Sequence, residues 1–402
     1  MKTFTTFLLA LAAGMALAGA VAVAGERSRI YGTLMTVDGE SFEGYIRWDK
    51  NEGCWHDVLD GTKRREAIER SDRRRYRDRD RDFFGIGISF GGSSAQSGIA
   101  FGHISRLEPL DDNAALLTLK SGQEIELEGG STDIGDDMRE LVIEDPEEGE
   151  IEFDWDDIEF VEFRESGAST SSLLGPRLYG SVTTRRGDVF TGYISWDVDE
   201  SFGADVLDGY ESGRKRKIRF SRIKSIERHG SDAATVRTTD GDEMRLSGTN
   251  DVDGSNSGIV VSDPKLGRIV IRWDEFELVE FSEAPENDGY DIYDGGKPIY
   301  GTVTADDGST YTGEIIWDND ERWTWEILDG EFRRIEMDVF FANIASIERH
   351  RGGALVTLGD GREFYLRDSN DVDDGNKGIF VRLESGDVEE IEWDFFERLD
   401  LK

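Results

Sequence analysis

The chain has 402 residues, of which 37% are hydrophobic and 33% charged, a length that suits two or three average domains. Its 86 acidic residues outnumber the 47 basic ones, for a formal net charge of −39. Such a charge repels nucleic acid and anionic lipid, favours cations, basic partners or high-salt solubility, and a single cysteine, Cys54, excludes an intrachain disulfide framework.

Residues 1–25 read as a secretory signal peptide. Lys2 supplies a positive start, Phe7 to Val23 is an apolar run, and Ala22 and Ala24 are the small residues a signal peptidase reads. Cleavage after Ala24 removes one basic residue and leaves the acidity intact. No other apolar stretch is long enough to span a bilayer, so no transmembrane segment is expected after cleavage. The chain has no Asn-x-Ser/Thr site and no disulfide set. Both absences point to an exported bacterial protein, periplasmic or extracellular.

Three copies of one module follow, over 26–165, 178–282 and 299–402. They open on Ile30-Tyr31-Gly32-Thr33, Leu178-Tyr179-Gly180-Ser181 and Ile299-Tyr300-Gly301-Thr302. The segments between them, 166–177 and 283–298, are rich in Ser/Gly and in Asp/Gly/Pro, a linker composition. The first copy carries an insert over 63–98. Gly61 to Phe101 spans 40 positions, where Gly209 to Phe220 and Gly330 to Phe341 span 11 each.

Each module divides again. In the third, alternating apolar residues predict strands over 300–304, 311–317 and 323–328, then over 354–358, 363–366, 378–383 and 389–401. Asp-Gly pairs, Leu328-Asp329-Gly330 among them, read as the turns between them. Tight turns at 341–344 and 393–396 join the last two strands of each half. Outside the leader no stretch holds a helical period, so the fold class is all-β.

About five short strands in about 50 residues, with a hairpin first and a tight turn before the last strand, resemble SH3-like and Sm-like small β-barrels. The tandem arrangement resembles exported bacterial tandem-repeat proteins built from such modules. This resemblance of pattern covers nearly all of the chain after the leader. It implies three tandem modules, each a pair of small SH3-like five-stranded barrels, and it brings no active-site motif with it. One larger β-sandwich per module is the alternative.

Three features recur and could carry function. The first is a Trp-Asp step: Trp48-Asp49, Trp196-Asp197 and Trp317-Asp318, each followed by a carboxylate at the same spacing, Glu52, Glu200 and Glu321. An aromatic platform flanked by carboxylates suits a sugar or a basic peptide. A Trp that closes one end of a barrel, with Asp and Glu ordering the turn, is the structural alternative. The second is an acidic loop. Asp251, Asp253 and Asn256 in the middle copy, and Asp371, Asp373 and Asn376 in the last, could offer several of the roughly six to eight oxygens calcium takes. The spacing is not that of an EF-hand, and an Asx-capped turn is the plainer explanation. In the first copy the loop has drifted to Thr132-Asp133-Ile134-Gly135. The third is a basic patch in an acidic protein: Arg73, Arg74, Arg75 and Arg77 in the insert, and Arg214, Lys215, Arg216 and Lys217 in the second copy. It would serve an anionic ligand or dock on the acidic face of another copy. A solvated polyampholyte loop is the bland alternative.

No catalytic residue stands out. His56, His103, His229 and His350 hold no common place across the repeats, and no His-Glu-x-x-His, Gly-x-Ser-x-Gly or Cys-x-x-Cys occurs. The expectation is an exported, non-catalytic binding or scaffold protein of the bacterial envelope. Its partner would be a protein or polysaccharide, with self-association as a further option and no obligate cofactor. The alternatives are a calcium-binding or calcium-dependent carbohydrate/adhesion protein and, more remotely, a carboxylate-based hydrolase.

Overall fold

The computed structural model describes residues 27–64, 94–129, 131–145, 147–167, 172–285 and 289–402. The signal-peptide reading of 1–25 and the Arg73, Arg74, Arg75 and Arg77 cluster lie outside the described residues.

The first module supplies β1 (Tyr31–Thr36), β2 (Ser41–Arg47), β3 (Val58–Arg64), β4 (Ser94–Ala100), β5 (Ile104–Asp111), β6 (Ala114–Leu119), β7 (Glu124–Glu128), β8 (Leu141–Asp145), β9 (Gly149–Phe153) and β10 (Ile158–Phe163). The second supplies β11 (Tyr179–Thr184), β12 (Val189–Trp196), β13 (Val206–Glu211), β14 (Arg214–Arg219), β15 (Ile223–Arg228), β16 (Ala233–Thr238), β17 (Glu243–Ser247), β18 (Ile259–Asp263), β19 (Gly267–Ile271) and β20 (Phe276–Phe281). The third supplies β21 (Tyr300–Ala305), β22 (Thr310–Ile316), β23 (Ile327–Phe332), β24 (Ile335–Phe340), β25 (Ile344–His350), β26 (Gly353–Leu358), β27 (Glu363–Leu366), β28 (Ile379–Leu383), β29 (Val388–Ile391) and β30 (Phe396–Leu401). The helical segments among the described residues are short 3-10 turns, including Phe341–Asn343 and Trp393–Phe395 where tight turns were expected.

The strands form three antiparallel sheets, and none closes into a barrel. The first has the order β4-β3-β7-β6-β5-β10-β1-β2-β8-β9. Neither half of the module pairs only with itself. β2 of the first half binds β8 of the second, with Ile46 opposite Ile143, and β3 binds β7. Each run of five, β10-β1-β2-β8-β9 and β5-β6-β7-β3-β4, therefore mixes strands of both halves. The closing strands β5 and β10 pair and join the runs. The second module repeats this plan.

Backbone proximity explains the conserved spacing of glycine in the three copies. A Cβ on Gly32, Gly180 or Gly301 would stand 2.2–2.6 Å from the carbonyl oxygen of the facing strand, so the Tyr-Gly opening is a close approach. The Leu-Asp-Gly motif corrects the sequence reading. It lies inside β3, β13 and β23 and is no turn. Gly209 and Gly330 sit where a Cβ would come 3.0 Å from the Cβ of Leu246 and Leu366. The tight turn comes later, at Ser212-Gly213 and at Arg333-Arg334, all four with positive φ. In the first module, the insert occupies the corresponding place between β3 and β4.

The modules are fused. β24, while paired with β23 of its own module, also pairs with β19 of the second, so that sheet holds twelve strands and the third holds eight. Modules 2 and 3 share one apolar core, and the core of module 1 takes in Trp325 from the third. Described residues of both linkers are packed. The Arg177 guanidinium is buried against Asp57 at 2.9 Å, and the Tyr290 ring lies 4.4 Å from that of Trp55.

A repeated acidic pocket as the candidate functional site

The first two recurring features, distant in sequence, meet in space. After β2, β12 and β22 the chain turns tightly through Asp49-Lys50, Asp197-Val198 and Asp318-Asn319, all with positive φ. Trp48, Trp196 and Trp317 then receive the chain back, each forming a bridge with the Glu four residues on. The three indoles are fully buried at 0% exposure. Each donates its ring N–H to the backbone carbonyl of the acidic loop, at Asp133, Asp251 and Asp371, over 2.9 Å. The Trp rings thus present no face to solvent; they anchor the loop over the turn.

The turn aspartates are equally committed. Asp49 accepts from the Arg139 amide at 2.7 Å and the Thr132 hydroxyl at 2.6 Å. Asp197 accepts from the Ser257 amide and the Asn250 side chain, and Asp318 from the Lys377 amide and the Asn370 side chain. The loop aspartates Asp133, Asp251 and Asp371 accept from the amides of Asp60, Asp208 and Asp329 in the adjoining strand. Toward the loop, the Asp of Leu-Asp-Gly therefore acts through its backbone amide.

This leaves the glutamates. One oxygen each of Glu52, Glu200 and Glu321 is buried without a hydrogen-bond partner. Asp49, Glu52 and Asp133 bring carboxylate oxygens within 4.8 Å of one another, as do Asp197, Glu200 and Asp251. Burial first, then the Asp251 and Asp197 charges, push Glu200 up to about 9. Burial lifts Asp251 to about 6 and Asp133 to about 7, and raises Asp197 and Asp318. Glu52, Glu321 and Asp371 are also raised, chiefly by burial. Crowded, desolvated carboxylates hold a proton, or a cation takes its place.

The pockets differ in their basic neighbours. Arg139 reaches Asp49 in the first, and Lys377 reaches Asp318 at 3.2 Å in the third. At the same loop position the second module has Ser257. The third pocket also has Lys63 of β3 nearby, bound to the Glu326 carboxylate and to the Asp320 carbonyl at 2.8 Å, and its charge acts against the rise at Glu321.

Of the predicted calcium ligands, Asp251 and Asp371 join the pockets. Asp253 and Asp373 cap local turns at Ser255 and Gly375, and Asn256 and Asn376 accept from Gly258 and Gly378. Sequence reasoning kept Glu52, Glu200 and Glu321 in the Trp-Asp turn and missed their meeting with the loop. Identical Trp-to-Glu spacing in all three copies was the available signal. The patch residues Arg214, Lys215, Arg216 and Lys217 form β14, an exposed strand at the end of a sheet. Cys54 is buried, and burial raises its thiol. His56 and His103, unrelated by the repeat, both touch the Tyr293 ring, and burial lowers each to about 4.

Fold and pocket together define an all-β chain of three antiparallel sheets with an acidic pocket repeated in each module. No protein-family model, curated protein or solved structure matches it.

Proposed function

We propose that the chain is an exported, non-catalytic binding and scaffold protein of the bacterial envelope, assembled from SH3-like units. The 3-10 turns directly before β5, β10, β15, β25 and β30 support the SH3-like reading. The observation that carries the scaffold reading is the welding of the modules. Arg268 of the second module binds Asp60 of the first at 3.0 Å and Asp338 of the third at 2.7 Å. Arg47 of the first binds Asp205 of the second at 3.1 Å. Several binding faces are thereby held in fixed relation, the arrangement from which multivalent attachment gains. In-cell cross-linking of the producing bacterium tests it. A scaffold gives a reproducible set of cross-linked envelope protein or polysaccharide partners. A protein that stays in the cytoplasm, or that cross-links to nothing, overturns the reading.

Cation binding is the second reading, favoured by Asp197, Glu200 and Asp251, which have no ion pair among the described residues and include the orphan Glu200 oxygen. Calcium would be bound there and not by Asp253 and Asn256. Thermal unfolding with EDTA and then millimolar calcium, against a magnesium control, is the measurement. Saturating calcium should stabilise by about 3 kcal/mol at about 100 times its Kd, and Glu200→Gln should remove the gain. Equal effects of calcium and magnesium that survive Glu200→Gln would reduce the effect to charge screening.

A further inference from the structure

At the junction of modules 2 and 3, β24 adds to the edge of β19. Gly267 stands opposite Val339, Arg268 opposite Asp338, Ile269 opposite Met337, and Val270 opposite Glu336. The pairing carries a cross-strand ion pair, Arg268 to Asp338 at 2.7 Å.

The equivalent strands at the junction of modules 1 and 2 are β9 and β14. Each lies at the end of its sheet, with one neighbouring strand. Trp155 and Trp273 align β9 with β19, and the hairpins β13–β14 and β23–β24 align β14 with β24. The register of β19 and β24 then sets Glu150 opposite Lys217 and Glu152 opposite Lys215. The charge pair recurs with its sign reversed, and a second one joins it. Opposite charges placed directly across a strand pair favour that pairing, and like charges oppose it.

Both edges are accessible. Glu150, Glu152, Lys215 and Lys217 are exposed. Lys215 is tied to Asp208 within its own hairpin at 2.7 Å, whereas Lys217, Glu150 and Glu152 have no ion pair among the described residues. An open edge is a template for another strand. The fold keeps β9 and β14 in separate sheets of one molecule, so a second copy is what can bring an acidic β9 to a basic β14. In a chain of charge −39, this basic strand is a natural seat for a copy's acidic edge.

We propose that β14 of one copy pairs antiparallel with β9 of a second copy, in the register of β19 and β24. The contact is heterologous, one edge type on each side, so it propagates into a ring or a filament. The open acidic edge β29 is the poorer acceptor: in the same register it places Val388, with no charge, opposite Lys217. Self-association of this kind stands apart from whichever envelope partner the scaffold binds.

Sedimentation of the mature chain from Gly25 onward, at low salt and at about 0.5 M salt, tests it with two paired charge reversals. One variant carries Lys215→Glu with Lys217→Glu, the other Glu150→Lys with Glu152→Lys. The wild type should reach an apparent mass about twice the monomer or more at low salt and dissociate at high salt. Each variant alone should stay monomeric. An equimolar mixture should associate again, because each acidic edge then meets a basic one, and this recovery also shows that neither variant has misfolded. A wild type that is monomeric at low salt would mean that the charges only blunt the edges, and the proposal falls. It falls also if the Glu150/Glu152 variant alone still associates, which would make β29 the acceptor.

Discussion

The acidic pockets of the second and third modules share a backbone and differ in charge balance. Both have a buried Trp tied to the acidic loop and an orphan glutamate oxygen. In the third, Lys377 lies against Asp318, and the Lys63 ammonium arrives from the first module. In the second, neutral amides and Asn250 are the partners of Asp197, and Glu200 is pushed to about 9. The difference teaches that a repeat copies geometry faithfully while its neighbours set the charge.

Three changes would break or sharpen this contrast. The largest effect is expected from Lys63→Met. It removes one of the two lysines at the third pocket, leaving Lys377, and takes from Glu326, with 3% side-chain exposure, its Lys63 partner. Loss of one member of a buried pair costs about 3 kcal/mol, to be read from the midpoint of urea unfolding. A variant as stable as wild type would mean that water already screens this pair.

The second pocket should reveal itself through pH. Glu200 and Asp251 have folded values of about 9 and about 6, above the ordinary carboxylate range. The folded state therefore binds more protons than the unfolded chain. Their contribution is fully present below the unfolded carboxylate value and is lost as pH rises through the folded one. His56 and His103, lowered to about 4 from 6.5, act in the opposite sense, and their contribution is lost as pH falls below 6.5. Between pH 6.5 and about 9 the acids alone set the slope. Stability should fall there by up to about 1.4 kcal/mol per pH unit for each titrating group. Urea titrations across this range should show the fall in wild type and a shallower one in Glu200→Gln. A profile that is flat without added metal, and unchanged in the variant, would mean that the pocket carries no shared proton.

The smallest effect concerns the turn itself. Val198 has φ of 70°, a region costly for a β-branched residue, where the third module has Asn319 at 71°. Val198→Asn should stabilise by about 1 kcal/mol, measured as a rise in melting temperature. A loss would show that the Val198 side chain packs in a way that Asn cannot match.

Period-two alternation and the three Tyr-Gly openings made the all-β class and most strand positions legible, down to the 3-10 turns at Phe341–Asn343 and Trp393–Phe395. The exchange of strands between half-modules was not legible. Local pattern says which residues form a strand, but pairing depends on where the connecting loops are held. Here the Trp48 ring N–H, bonded to the Asp133 carbonyl at 2.9 Å, fixes the loop between β7 and β8, and β8 lies beside β2. Leu-Asp-Gly looked like a turn because Asp-Gly is the commonest hairpin signal. Pairing within the strand overrides it, and packing against Leu246 and Leu366, 3.0 Å from a Cβ built on Gly209 or Gly330, favours a residue without a side chain there. Of the candidate site, the Trp-Asp steps and loop aspartates were visible as repeats. Their convergence on Glu52, Glu200 and Glu321 was not, because the loop lies some 80 residues from the turn in the first copy, as Asp133 and Trp48 show.

The sequence by itself determined the all-β class, the three repeats, the acidity and the inventory of carboxylates and basic strands, because these follow from composition and short-range periodicity. Tertiary structure alone decided which strands pair, that β24 joins β19 of the neighbouring module, which acids are buried together, and which of them receive a lysine or arginine. These outcomes depend on contacts between segments far apart in the chain. Such contacts are fixed by packing and desolvation, and local sequence does not encode them.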